Sequence, residues 1–70
     1  MGREYKIDGD TAIFEGELQI KGAQLNGDGD LELTFPDRTV EVIVGVTRLQ
    51  ATGAIKMGGI KFGNIVNLKR

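Results

Sequence analysis

The sequence predicts a small all-β domain: an antiparallel barrel or sandwich of about five to six strands, with Gly-kinked strands and no substantial helix. Three observations predict it. Apolar and polar residues alternate over several short segments. Glycine is abundant, 11 of 70 residues with a single proline, so no helix of ordinary length escapes a breaker. The longest glycine-free stretch, Asp30 to Val44, contains Pro36 and is rich in Thr and Val. Branching at Cβ favours a strand there.

The elements follow in chain order. Tyr5 and Ile7 alternate with Glu4, Lys6 and Asp8. Asp8-Gly9 is a hairpin signal. Phe14, Leu18 and Ile20 oppose Glu15, Glu17, Gln19 and Lys21, with Gly16 on the apolar phase. Asn26-Gly27-Asp28-Gly29 is a loop. Its oxygen ligands alternate as in a calcium loop, but the sixth and twelfth positions are Leu31 and Asp37, where Gly and Glu are wanted. Leu31, Leu33 and Phe35 oppose Glu32 and Thr34. Phe35-Pro36-Asp37-Arg38 suits a type I turn. Val40, Val42, Val44 and Val46 form the next apolar phase, against Glu41 and Thr47. Ile55 and Met57 flank Lys56, and Ile60 and Phe62 flank Lys61. Gly16 and Gly45 fall inside strand patterns, where glycine marks a bend or a close approach.

Seventy residues make one all-β domain, 1–70. An internal echo aligns Leu18–Gly27 with Leu49–Gly58 at an offset of 31, with five of ten positions identical. A duplication would relate residues 10–35 to 41–66. Chance recurrence of glycine-rich strand sequence is the plainer alternative.

Composition narrows function. Cys, His, Ser and Trp are all absent. Disulfides and thiolate or imidazole metal sites are excluded, and the usual nucleophiles and the neutral-pH acid–base group are missing. The expectation is a non-enzyme with no metal and no cofactor. No apolar run approaches the roughly 18 residues of a membrane span, and the first residues carry no apolar signal core. A soluble, cytoplasmic protein is expected.

Charge is split along the chain. Residues 1–41 hold all ten acids against Arg3, Lys6, Lys21 and Arg38, a net of −6. Residues 42–70 hold no acid and five cations, Arg48, Lys56, Lys61, Lys69 and Arg70. Such asymmetry has three readings. Late basic strands can pair internally with early acidic ones. A basic edge of one subunit can meet an acidic edge of the next. Or the basic strands can bind an anionic partner such as single-stranded nucleic acid, with Arg48, Lys56, Lys61, Lys69 and Arg70 on phosphates and Phe62 or Tyr5 on bases.

Glu41-Val42-Ile43-Val44-Gly45 and Thr52-Gly53-Ala54-Ile55-Lys56-Met57-Gly58-Gly59 together resemble part of the trp RNA-binding attenuation protein family. The resemblance implies a small all-β subunit in an RNA-binding ring, with Lys56 in the place of an RNA-contacting lysine. The neighbouring arginine of that pattern falls on Gly58, and the amino-terminal half shows no match. Membership does not follow from it.

The reading that results is a non-catalytic assembly or protein-binding module, homo-oligomeric through its edge strands. A chain this small, without disulfide or metal, has a marginal core and exposed edges, and association relieves both. The alternatives are a small nucleic-acid-binding barrel and a designed barrel without a natural partner.

Overall fold

The computed structural model describes residues 4–68. Every regular element in it is a strand, as the alternation predicts: β1 (Tyr5–Asp8), β2 (Thr11–Phe14), β3 (Leu18–Ile20), β4 (Gly22–Leu25), β5 (Leu31–Thr34), β6 (Val40–Ile43), β7 (Arg48–Ala51), β8 (Ile55–Met57), β9 (Ile60–Lys61) and β10 (Ile65–Asn67). The expected five to six strands are thus corrected to ten short ones. They form three sheets, ordered β1-β2-β7-β10, β3-β8-β9 and β4-β5-β6. Among the described residues no ladder joins the sheets into one closed barrel.

Strand direction is the second correction. β2 pairs with β7, and β3 with β8, in parallel. Thr11 faces Arg48 and Leu18 faces Ile55, a separation of 37 residues in both cases. The segments β2–β3 and β7–β8 are therefore two passes along one path, which turns a corner between the first sheet and the second. Hydrogen bonding continues around that corner. The N–H of Thr52 donates to the Phe14 carbonyl (3.0 Å), that of Gly53 to Gly16 (2.8 Å) and that of Leu18 to Ala54 (2.9 Å). The Gly16 N–H finds the Thr52 hydroxyl oxygen at 2.6 Å. From the other side, the Asn64 side-chain amide donates to the Gly53 carbonyl. Backbones this close leave no room for a side chain. A Cβ on Gly53 would lie 2.9 Å from both C and O of Gly16. Pairing sets Leu18 against Ile55.

The three sheets enclose one core. The first contributes Ala12, Phe14, Leu49 and Ala51; the second Leu18, Ile20 and Ile55; the third Leu31, Leu33 and Ile43. Phe35 and Val46 complete it from the connections. Tyr5 lies against Phe14 with ring centroids 5.1 Å apart and planes tilted by 41°. Burial, then a hydrogen bond to Glu41 and that residue's negative charge, raises the Tyr5 phenol above its ordinary pKa.

The third correction concerns phase. Val40, Val42 and Val44 were expected inside. They are 57%, 47% and 76% exposed, and Ile43 is buried in their stead. The cause is the turn after β6. Gly45 stands at φ 77°, a conformation open to glycine, so alternation restarts there and Val46 returns to the core. Ile60 and Phe62, also expected to face inward, are 64% and 50% exposed on the outermost strand of the second sheet and just beyond it.

Turn chemistry follows the sequence closely. β1 and β2 close as a two-residue hairpin with Asp8 opposite Thr11. β8 and β9 close across Gly58-Gly59, with Met57 opposite Ile60. In the Asn26 loop the side-chain carbonyl accepts the N–H groups of Asp28 (2.9 Å) and Asp30 (3.0 Å), and Asp30 accepts the Gly45 N–H at 3.2 Å. These oxygens organise backbone, a structural use. Between β5 and β6 the Arg38 N–H donates to the Phe35 carbonyl (2.9 Å), and the Phe35 N–H to Thr39 (2.8 Å). Arg38 itself has φ 73°, the left-handed region. No helix among the described residues is long and apolar enough to cross a membrane.

Candidate functional site

The structure divides the cations that the sequence groups together. Lys56 on β8 and Lys61 on β9 are direct cross-strand partners, so both side chains stand on one face of the second sheet. Gln19 on β3 continues the same row beside Lys56. Arg48 is elsewhere. It lies on β7 in the first sheet, where its Nε donates to the Asn67 side-chain carbonyl at 2.9 Å. Phe62 is half-exposed just past β9. Lys69 and Arg70 lie outside the described residues. Two of the proposed residues are thus brought together as a pair, with Phe62 next along the chain.

An acid sits at the end of this row. Lys56 Nζ lies 3.4 Å from Glu17 Oε2, and Gln19 Nε2 donates to Glu17 Oε1 at 2.8 Å. The pair is solvent-exposed, so its worth to stability is small. The hydrogen bond from Gln19, then the charges of Lys56 and Lys61, hold the Glu17 carboxyl below its ordinary value of 4.5. A depressed carboxylate pKa means that the contact is intact above the usual glutamate range and is lost as pH falls through the lowered value. A carbon-13 titration of the Glu17 carboxyl should therefore show a midpoint below 4.5, and Gln19→Ala should move it up. An unshifted wild-type midpoint would mean that the row does not form in solution.

Two further cations join Lys56, and the sequence places both in the acidic half. Lys21, between β3 and β4, and Arg38, in the β5–β6 turn, line with Lys56 a groove of about 570 Å³. Pro36, Gly58 and Gly59 form part of its wall. The Gly58 N–H donates to the Ile20 carbonyl (3.1 Å) within the second sheet, and the Lys21 N–H donates to the Thr34 carbonyl (2.7 Å), which ties the link after β3 to the third sheet. Counting charge along the chain hides Lys21 and Arg38, because the groove forms between segments that are distant in sequence. The signal that could have found Arg38 is the turn itself. In a Pro-Asp-Arg turn the residue after Asp takes the left-handed position where glycine is expected.

The other distinctive surface is apolar and lies on the strands that end each sheet. β6 pairs only with β5 among the described strands and presents Val40 and Val42 outward, with Val44 beyond. β9 presents Ile60, and β10 presents Ile65. Among the described residues no group of three or more His, Cys, Asp or Glu could hold a metal ion. No protein family, no curated protein and no solved structure matches the chain.

Proposed function

We propose that the protein is a non-catalytic assembly module that associates with copies of itself through its edge strands. The observation that carries this reading is β6: an outermost strand with two valines facing solvent and a third just past its end. An exposed apolar edge is a template for a further strand, and monomeric proteins ordinarily blunt it with charge, proline or a bulge. β9 offers a complementary edge, with Ile60 and Lys61 where the β6 face carries Glu32 beside Val42. Contact between two different edges is head-to-tail and builds a ring or a filament. In such an assembly the sheets left open in one copy close across the contact, which would complete a barrel or sandwich.

The test is mass in solution. Wild type should run at twice 7.6 kDa or more by light scattering at micromolar concentration. Val42→Lys with Val44→Lys should return it to a folded monomer. A wild type that is itself monomeric overturns the reading.

A further inference from the structure

The groove between the second and third sheets has features that assembly does not require. Lys21, Arg38 and Lys56 reach it from three separate segments, and no acidic side chain among the described residues lines it. Like charges gathered around one concave surface repel, and more strongly where solvent is partly displaced.

Two of these cations also sit at a local cost. Arg38 holds φ 73° in a turn that glycine would close without strain. The left-handed conformation costs a residue with a side chain about 1 kcal/mol. Lys56 stands directly opposite Lys61, and like charges so placed destabilise a strand pair. Glu17 meets Lys56 at 3.4 Å but does not line the groove, and offsets only part of this. Strained or repelling groups that converge on a concave surface point to a ligand that relieves them.

We propose that this groove binds a small anion carrying more than one phosphoryl group, held by Arg38, Lys21 and Lys56. The guanidinium supplies paired donors that match phosphate oxygens, and the two ammonium groups supply point charges. The volume of about 570 Å³ suits a small molecule. Among the described residues no aromatic side chain lines the groove to stack a base. That favours a compact phosphorylated ligand over a single-stranded nucleic acid, which needs such platforms.

Calorimetry with inorganic tripolyphosphate at low ionic strength tests this. Wild type should bind, and Arg38→Gly and Lys56→Gln should each weaken binding about tenfold or more, the loss of one charge-assisted contact. Arg38→Gly should also unfold at a higher urea concentration than wild type, so its weaker binding cannot come from misfolding. Glu17→Gln should tighten binding, because it frees Lys56. Lys6→Gln, on β1 in another sheet, should change nothing. Absence of binding by wild type overturns the proposal, as does equal weakening by Lys6→Gln and Arg38→Gly. Tighter binding of a short oligouridine through the same cations would hand the groove to nucleic acid and overturn it too. The valines of β6 lie outside the groove, so a failure here leaves the assembly reading standing, and the reverse.

Discussion

Gly53→Ala should cost about 3 kcal/mol of folding stability, the upper end of ordinary overpacking. The new methyl would sit 2.9 Å from the carbonyl carbon and oxygen of Gly16 and 3.0 Å from the Glu17 nitrogen. All three are backbone atoms, so no flexible side chain can swing away. Relief requires the two passes of the chain to separate at the corner, which breaks the Gly53-to-Gly16 hydrogen bond and strains its neighbours. Natural domains hold only about 0.05–0.15 kcal/mol per residue in reserve, so a loss of this size removes a large share of the stability and should show as a clear fall in the urea midpoint. Gly16→Ala is the control. Gly16 has φ 76°, but a Cβ there meets nothing within 4 Å. Its cost should be backbone strain alone, about 1 kcal/mol. Urea midpoints that rank Gly53→Ala no worse than Gly16→Ala would show that the two backbones do not approach closely at the corner.

Phe14→Ala should cost about 3–5 kcal/mol, the usual range for emptying a buried phenylalanine site. Phe14 is fully buried on β2, a strand flanked on both sides, and it touches the core from the sheet that carries the corner. Tyr5 is its aromatic neighbour. Tyr5 is also the only tyrosine, and there is no tryptophan, so intrinsic fluorescence reports this contact alone. Phe14→Leu should lose less, about 1 kcal/mol, because most of the volume is kept. It should still change the Tyr5 emission. A Phe14→Ala protein as stable as Phe14→Leu would place the ring at the periphery of the core.

The sequence shows the class of the fold because period-two alternation and glycine punctuation are local signals, written in the residues that obey them. Tyr5, Phe14, Leu18, Ile20, Leu31, Leu33 and Ile55 pack as their phase requires. Pairing is not local. Nothing in Thr11–Phe14 states that its partner is Arg48–Ala51, or that the two run in the same direction. The 31-residue echo is a statement about repeats and carries no pairing register, which is offset by 37. The β6 valines mislead for a related reason. Four valines in even positions read as one face, but the left-handed Gly45 interrupts the count between Val44 and Val46.

The cationic site was half legible. Lys56 and Lys61 stand on polar phases of neighbouring strands, and a Gly-Gly hairpin between them puts them side by side. Arg48 shares their charge but not their sheet. Lys21 and Arg38 were hidden because they belong to segments whose other charges are acidic. Three-dimensional neighbourhood, not position along the chain, sets the field at a surface.

The corner at Gly16 and Gly53 also bears on how fast the molecule forms. Two of its sheets cannot assemble until the polypeptide has travelled a full circuit and met its own earlier path. Distant contacts of this kind must be reached before they reward the chain, which slows the search relative to a simple meander of equal length. During synthesis, β2 and β3 wait for β7 and β8 to emerge. The hairpin stack of β4, β5 and β6, whose partners are near neighbours, is the part able to organise first.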